Sequence, residues 1–290
     1  MIRNPADKIV DGILMICIGM FALFCVVPMI HIFALSFSGN RAIMSGEVTL
    51  WPVDWSFHAY DSVFSNMLMV RSLIFTIILV AVYTAIALAM TILAAYPLSR
   101  RKLRGKHVMF GLIVVTMFFN PGIIPNYLLV KELGLINSPW SLVMPLMINA
   151  FLLIIMKTNF SQIPSELEDS AWIDGCGHFR FLLQIVLPLS LPILATIGLY
   201  YAVDRWNMFQ DALFYINDQQ YYPLQLKLYQ MVINSQVNDA TAQEGFNAAT
   251  PVPQSLQAAS IMFATVPILL VYPWLQRYFI SGMLVGAVKG

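Results

Sequence analysis

Long apolar runs separated by short polar segments constrain the fold of this chain more than any other feature. A transmembrane helix needs about 20 apolar residues to cross a hydrocarbon layer about 30 Å thick. Six runs reach or approach that length, at residues 12–36, 72–97, 108–130, 140–157, 186–209 and 256–280. Hydrophobic residues make up 59% of the chain and charged residues 11%, against about 25% charged in ordinary soluble domains. The sequence therefore predicts an all-α integral membrane protein with about six transmembrane helices.

Two of these runs contain residues that interrupt helices. The third run contains Asn120, Pro121, Gly122 and Pro125. Pro188 and Pro192 lie at and just inside the start of the fifth run, where proline removes a backbone donor and bends the helix axis. We expect the third span to be broken and the fifth to be bent where it begins.

The distribution of cations predicts the topology of the chain. Cytoplasmic segments of membrane proteins are enriched in Lys and Arg. Most of the 16 Lys and Arg residues fall on one side of the six spans, namely Arg3, Lys8, Arg100, Arg101, Lys102, Arg104, Lys106, Lys157, Arg180, Arg277 and Lys289. The N-terminal segment 1–11, the segment 159–188 and the tail 281–290 are therefore predicted to be cytoplasmic. Loops at 37–70 and 210–255 are predicted to lie outside.

Composition and motifs argue against chemistry within the chain itself. A net charge of +1 gives no signal for a nucleic-acid partner. Cys17, Cys25 and Cys176 have neither metal-ligand spacing nor a disulfide framework, so we predict packing thiols. The four histidines are widely scattered, and no phosphate-binding loop or zinc-protease motif is found. We predict no catalytic residue and no metal site.

The segment 164–192, PSELEDSAWIDGCGHFRFLLQIVLPLSLP, is acidic and lies between two apolar runs. Ser165 and Glu168 have the spacing of a capping box, which predicts a helix start at Ser165. Asp174 and Gly175 predict its end, because glycine adopts the left-handed conformation at little cost.

A second helix is expected to restart near Gly177 and to run into the fifth span. Together the two helices predict a cytoplasmic elbow with an amphipathic surface. A plain connecting loop with a surface helix is the alternative. Interfacial helices favour Lys and Arg, so an acidic helix favours a protein partner over anionic lipid.

This segment resembles the cytoplasmic signature of membrane subunits of type I, binding-protein-dependent ABC importers. That signature reads E-A-A, three residues, Gly, nine residues and then I-x-L-P. The matching residues are Asp169, Ser170, Ala171, Gly175, Ile185, Leu187 and Pro188. Asp169 and Ser170 replace the Glu and the first Ala of the signature, while its spacing is retained.

Three further segments are similar to the carbohydrate branch of this family. They are AYPLSRRKLRG at 95–105, ATIGLYYAVDRWN at 195–207 and GAVKG at 286–290. The resemblance is to the smaller permease of the maltose system and to permeases for polysaccharide-derived, including uronate-rich, oligosaccharides. It implies the type I ABC importer permease fold, with the first span at 12–36 and a permease core over 72–280.

The resemblance also implies partners and a mechanism. The chain would form half of a translocation pathway with a second permease, two ATPase subunits, an extracellular or periplasmic solute-binding protein and a sugar cargo, in the bacterial cell membrane. ATP and Mg would bind the ATPases, and this chain would bind no cofactor. The implied ATPase-coupling residues are Glu168, Asp169, Ser170, Ala171, Asp174, Gly175, Ile185, Leu187 and Pro188. Gly175 would give the turn, and Ala171 would permit close approach.

Polar and aromatic residues within the spans are candidates for the substrate pathway, because such groups usually face a cavity or a neighbouring helix. The candidates are Tyr200, Tyr201, Asp204, Arg205, Trp206, Asn207 and Asn120. The alternative for the fifth span is an interfacial aromatic belt with an Asp-Arg pair directed outward. Arg205 either meets a uronate carboxylate or is satisfied by Asp204 or another residue. Helix packing is equally open for Asn120 and is favoured for Asn149.

The outer segment 210–255 is predicted to have an ordered, helical first half and a polar, flexible second half. In the maltose-type family a loop at this place reaches into the binding protein. We expect deletion of 236–250 to spare assembly and to uncouple the binding protein.

Other functions stay open at this point. A secondary transporter would favour a coupling-ion site and an internal repeat, and six spans without an inner carboxylate pair argue against it. A membrane-embedded enzyme would need clustered catalytic groups. An ABC permease for a non-sugar solute is the nearest alternative.

Overall fold

The computed structural model describes residues 5–100, 103–119, 121–241 and 252–287. All regular secondary structure in these ranges is helical, which confirms the predicted all-α class. The α-helices are α1 (Pro5–Ser36), α2 (Asn40–Met44), α3 (His58–Ser65), α4 (Met67–Ser99), α5 (Lys106–Phe118), α6 (Ile123–Glu132), α7 (Ala150–Phe160), α8 (Ser165–Ile173), α9 (His178–Phe181), α10 (Leu187–Leu189), α11 (Leu191–Asn207), α12 (Gln210–Tyr215), α13 (Leu224–Thr241) and α14 (Pro253–Ala287). Short 3₁₀ turns occur at Pro139–Leu142 and Gln219–Tyr221, and a π-helical turn at Leu182–Val186.

Three helices of the described chain are long and apolar enough to cross a membrane. They are Val10–Ser36 within α1, Met67–Ser99, which is α4, and Pro253–Val271 within α14. Two helix pairs are further candidates, α5 with α6 and His178–Leu189 with α11, and they raise the number to five if each pair is one span. The count of six spans stays a prediction.

The predicted fifth span is broken at Ser190. The stretches His178–Leu189 and Leu191–Asn207 meet there at an angle of 85°. Pro192 lies in the first turn of α11, where its missing N–H costs no helical hydrogen bond. The bend predicted at the prolines is confirmed.

The predicted fourth span, 140–157, is not one continuous helix. Residues 143–149 form turns and irregular backbone, and α7 begins only at Ala150. Pro145 explains part of this, since proline lacks a backbone donor and disfavours helical conformation in the residue before it. The Asn149 side chain accepts hydrogen bonds from Phe151 N (2.9 Å) and Leu152 N (3.2 Å) and so caps the start of α7.

The chain divides into two compact units. One unit comprises Met1–Val70 and Lys227–Ile268. In its described part, Asn40 Oδ1 accepts a hydrogen bond from Val252 N at 3.1 Å. Its buried apolar cluster contains Ala34, Ala42, Ile43, Val48 and Val252. The apolar side chains of α1 from Val10 to Ile30 are exposed within this chain, which suits a lipid environment.

The other unit comprises Arg71–Leu226 and Leu269–Gly290. Its core packs α4, α7, α9 and α11 together, because each helix buries an apolar face against the others. The largest buried side chains in this core include Leu142, Met156, Phe160, Phe181, Ile197 and Tyr201.

The predicted outer segment 210–255 begins with α12 and α13, so its first half is helical as predicted. Residues 242–251, which include most of its polar second half, lie outside the described residues.

Candidate functional site

The predicted elbow is formed by α8, α9 and the turn between them. α8 begins at Ser165 as predicted, but the predicted capping box is wrong: Pro164 occupies the N-cap position and no side chain caps the helix. Glu168 instead accepts a hydrogen bond from Arg100 Nη1 at 3.0 Å. Glu166 and Glu168 still lie near the helix N-terminus, where the helix dipole favours carboxylates.

Gly175 sets the end of α8. Its φ of +73° lies in the left-handed region, which costs glycine little. Gly175 N donates a hydrogen bond to Trp172 O (3.0 Å), and Cys176 N donates to Ala171 O (2.9 Å). These two bonds form a Schellman motif, which satisfies the last carbonyls of the helix. The predicted stop at Asp174 and Gly175 is confirmed.

After this turn the chain returns to the core of its unit through α9. The helix begins at His178, one residue after the predicted restart at Gly177. Ile185 and Leu187 are partly buried against the core, whereas Pro188 is exposed. The second half of the signature therefore anchors the elbow to its own unit.

The outward face of α8 combines carboxylates with a large apolar side chain. Asp169, Ser170 and Asp174 are exposed, and Ile173 is 86% exposed. Ala171 differs, because it is buried against the core of this chain and its small side chain lets α8 lie close to the helices behind it. An apolar anchor surrounded by carboxylates fits a protein surface with a basic rim better than it fits anionic lipid.

Arg100, just after the end of α4, binds the elbow on the side opposite its exposed face. Its Nη1 donates to Glu168 Oε2 at 3.0 Å and its Nη2 donates to Phe160 O at 3.2 Å. The guanidinium lies 4.9 Å from the ring centroid of Tyr96 and 5.7 Å from that of Phe181. The Arg100 and Glu168 side chains are 10% and 19% exposed, so solvent ions screen the pair only partly.

A groove of about 600 Å³ opens beside this ion pair. The residues that line it are Tyr96, Pro97, Arg100, Leu103, Glu168, Trp172 and His178. The Tyr96 hydroxyl donates to His178 O at 3.2 Å, and the rings of Trp172 and His178 meet edge to face at 4.3 Å. The inner side of the elbow thus combines aromatic rings with one partly buried charge pair.

A second cluster of polar groups lies among α4, α7 and α11. The hydroxyl of Tyr201 forms hydrogen bonds with Thr91 Oγ1 (2.7 Å) and with Asn149 N (3.1 Å). The Tyr83 hydroxyl donates to Leu146 O at 2.9 Å. These bonds satisfy backbone groups of the irregular segment before α7. Each such group costs several kcal/mol when left free in lipid, so the bonds stabilise non-helical backbone there.

Arg205 binds the end of the 3₁₀ turn that precedes this segment. Its Nη1 donates to Leu142 O at 2.8 Å, and its two Nη atoms bind both carboxylate oxygens of Asp211. The Arg205 side chain is only 1% exposed, and the pairing with Asp204 considered from the sequence is replaced by the pairing with Asp211. Nearby, burial and the Asp211 carboxylate raise the pKa of Tyr215 above its ordinary value.

Burial divides the pathway candidates of the fifth span into two sets. The buried set is Tyr201, Arg205 and Trp206. The exposed set is Tyr200, Asp204 and Asn207. Members of the exposed set are four and three residues apart, so they lie along one face of α11. Asn120, the remaining candidate, lies outside the described residues.

Four residues of these two clusters were not identified from the sequence: Arg100, Tyr83, Thr91 and Asp211. The sequence presents Arg100 as one cation of a basic run, and its partner Glu168 is 68 residues away. Thr91 and Tyr201 are 110 residues apart. Only the tertiary fold brings these partners together, so no local pattern signals them.

Within the parts of the chain that the structure describes, no group of three or more His, Cys, Asp or Glu side chains is arranged to hold a metal ion. The three cysteines are free thiols. That this chain binds no cofactor, and that ATP and Mg bind the partner ATPases, stay predictions.

The comparisons with known proteins agree on one family. The model of the family described as "Binding-protein-dependent transport system inner membrane component" matches residues 87–285. The polygalacturonan/rhamnogalacturonan transport system permease protein YtcP of Bacillus subtilis is 43% identical over 284 residues, which is 98% of each chain. The melibiose/raffinose/stachyose import permease protein MelC of the same bacterium is 31% identical over 249 residues, covering 83% of this chain and 84% of MelC.

A solved structure indicates the same family. One chain in the crystal structure of a bacterial ABC transporter involved in the import of the acidic polysaccharide alginate superposes with a TM-score of 0.87 and 30% identity, over 96% of this chain and 99% of that chain. Proteins of this family are membrane transport components, and ATP hydrolysis resides in a separate subunit. From the family match over most of its length, its full-length relatives and its elbow, we conclude that this chain belongs to the inner-membrane permease components of binding-protein-dependent ABC transport systems.

Proposed function

We propose that this chain forms half of the translocation pathway of an ATP-driven oligosaccharide importer in the bacterial cytoplasmic membrane. The observation that carries the proposal is the geometry of the elbow. Its short acidic helix α8 ends at Gly175, is bound from behind by Arg100, and leaves its outward face exposed. A rigid helix held in this way is suited to receive movement from a separate protein.

In this proposal the exposed face of α8 docks on an ATPase subunit. Ile173 supplies the apolar anchor, and Asp169 and Asp174 supply charges for a basic rim. A second permease presents its own elbow to a second ATPase. Closure of the two ATPases then draws the elbows together and switches the membrane cavity from inward-facing to outward-facing.

Fragments of acidic polysaccharides are the cargo that we propose first. The relative with 43% identity is named for transport of polygalacturonan and rhamnogalacturonan, and the structural relative with 30% identity for import of alginate. A solute-binding protein outside the membrane delivers uronate-containing oligosaccharides in this account. Arg205 is not offered as their ligand, since its guanidinium is already bound by Asp211 and by Leu142 O.

Two elements of this chain are proposed to line the pathway. One is the exposed stripe of Tyr200, Asp204 and Asn207 on α11, which joins an aromatic ring to hydrogen-bonding groups, as sugars require. The other is the irregular segment 143–149. Non-helical backbone at membrane depth is tolerated where it is buried in protein or lines a water-filled cavity. Two backbone groups of this segment, Leu146 O and Asn149 N, are hydrogen-bonded to tyrosine hydroxyls of this chain, while most of its side chains are exposed.

Neutral oligosaccharides are the second candidate cargo. The exposed stripe on α11 contains a carboxylate, Asp204, and no cation, which is unfavourable beside an anionic sugar. MelC, at 31% identity, is named for melibiose, raffinose and stachyose.

Uptake into vesicles distinguishes these cargoes. The chain is reconstituted with its partner permease, ATPase and binding protein, and import of a labelled oligogalacturonate is compared with import of labelled raffinose. We expect ATP-dependent import of the oligogalacturonate alone. Import of raffinose alone would select the second candidate. An assembled, ATP-hydrolysing complex that imports neither sugar would contradict the oligosaccharide function.

A further inference from the structure

We infer that Arg100 is a positioning residue that makes the cytoplasmic end of α4 move together with the elbow. A displacement of α8 is then passed directly to α4, the predicted second span, through the side-chain contacts of Arg100, as well as along the backbone to α11. The inference rests on the proposed function, because it requires that α8 receives movement from an ATPase.

The route along the chain is interrupted twice. Between α8 and α11 lie a π-helical turn at Leu182–Val186 and the break at Ser190, where the helical stretches meet at 85°. π turns and helix breaks are places where a helix deforms most readily. A displacement of α8 that travelled only through the backbone would have to cross both.

The guanidinium of Arg100 connects α4 and α8 directly, without the π turn or the helix break between them. Its Nη1 binds Glu168 Oε2 of α8, and its Nη2 binds Phe160 O, the last residue of α7. Its Nε donates to Ser99 Oγ at 3.1 Å, and this hydroxyl donates in turn to Tyr96 O at 2.7 Å. All three nitrogens are therefore occupied, and the planar fork fixes the positions of the groups around it.

Two further contacts connect the end of α4 to the elbow. The Tyr96 hydroxyl donates to His178 O at the start of α9, and the ring of Phe181 lies beside the Arg100 guanidinium. The end of α4 thus holds both arms of the elbow. α4 has 33 residues, which corresponds to a length of about 50 Å, and its proline, Pro97, lies in the last turn. Because Tyr96 lies before this proline and binds His178 O, a displacement of the elbow is passed to the part of α4 beyond the last turn.

The first test measures the sugar imported per ATP hydrolysed by the complete complex in vesicles. Arg100→Gln removes the charge from the bonds to Glu168 and Phe160 O, and we expect the ratio to fall about ten-fold, the factor expected for loss of a charge-assisted hydrogen bond. Arg100→Lys keeps the charge without the fork and should give an intermediate ratio. Lys157→Gln is the matched control, since that ammonium lies over the Phe110 ring instead and its loss should leave the ratio near that of wild type.

A companion variant covers the case in which Arg100→Gln does not assemble. Glu168→Gln leaves the bond from Arg100 to Phe160 O in place and removes only the charge pair with α8. It should lower the ratio in the same direction. A wild-type ratio in either assembled variant would overturn the inference.

A distance measurement separates this inference from the proposed function, because it needs the ATPase partner but no cargo. Spin labels are placed at the exposed positions Leu93 of α4 and Glu166 of α8, in a background whose three cysteines are replaced by serine. Wild type should keep one distance with and without trapped ATP, whereas Glu168→Gln should show a shift. A shift in wild type overturns the inference. A wild-type complex that imports no sugar but keeps this distance contradicts the proposed function and leaves the inference supported.

Discussion

Arg205 binds both carboxylate oxygens of Asp211, six residues further along the chain, while the neighbouring Asp204 is exposed. The same guanidinium donates to Leu142 O at 2.8 Å, so one side chain joins α11, α12 and the turn at Pro139–Leu142. The Arg205 and Asp211 side chains are only 1% and 9% exposed. The pair is therefore a structural connection inside the unit.

Removal of Asp211 should destabilise the protein far more than removal of Asp204. Asp211→Ala leaves a buried guanidinium without its counter-charge, and we expect the free energy of unfolding to fall by about 3–5 kcal/mol. Asp204→Ala changes an exposed side chain and should cost less than about 0.5 kcal/mol. Denaturant unfolding of the purified protein in detergent measures both. Equal losses for the two variants would contradict the assignment.

The hydroxyl of Tyr201 should stabilise the backbone before α7. Tyr201→Phe leaves Thr91 Oγ1 and Asn149 N without their shared partner, and an unsatisfied buried group costs about 1–3 kcal/mol. Tyr222→Phe is the control, because its hydroxyl makes one exposed bond of 3.4 Å to Asn217 O. We expect a lower unfolding midpoint for Tyr201→Phe alone. Identical midpoints for the two variants would show that the bonds at Tyr201 contribute nothing.

The exposed stripe on α11 should influence the affinity for sugar. Tyr200→Ala and Asn207→Ala each remove a group proposed to contact the cargo, and we expect the sugar concentration for half-maximal uptake to rise about two- to ten-fold, as loss of one hydrogen bond predicts. Phe24→Ala on α1, a side chain that is 78% exposed among other apolar residues, should leave that concentration unchanged. An unchanged concentration in both stripe variants would remove this face from the pathway.

The segment after α13 should couple the complex to its binding protein. The sequence points to 236–250, and α13 continues to Thr241, so the deletion is best restricted to 242–250. The complex should still assemble, while stimulation of ATP hydrolysis by the sugar-loaded binding protein should be lost. Normal transport by the deletion variant would refute this role.

Local signals predicted the elbow well. The start of α8 at Ser165, its end at Gly175 and the break near Pro192 all depend on backbone preferences of a few consecutive residues. The capping box is absent for a different reason: Pro164, at the N-cap position, has neither a side-chain oxygen nor a backbone N–H to offer Glu168, and Glu168 binds Arg100 instead.

Features that depend on distant partners were not predictable in the same way. The run 140–157 is apolar enough to be interpreted as a span, yet residues 143–149 are irregular, and Tyr83 and Tyr201 satisfy backbone groups there from other helices. Likewise, the sequence offers Asp204 as the adjacent partner of Arg205, but adjacent residues on a helix point in different directions. Only the packed structure selects Asp211.

ATP hydrolysis by the reconstituted complex, with and without sugar-loaded binding protein, tests the central claim that α8 couples this permease to an ATPase. Among the described residues other than its two chain neighbours, none would lie within 4 Å of a Cβ atom at position 175, so the φ of +73° governs what the position tolerates inside this chain. Asparagine accepts that conformation and serves as the control. Gly175→Trp adds strain and bulk at the proposed docking face.

We predict that the binding protein stimulates hydrolysis in wild type and in Gly175→Asn, and that stimulation is lost in Gly175→Trp although the complex still assembles. Full stimulation in Gly175→Trp would contradict the coupling role of the elbow.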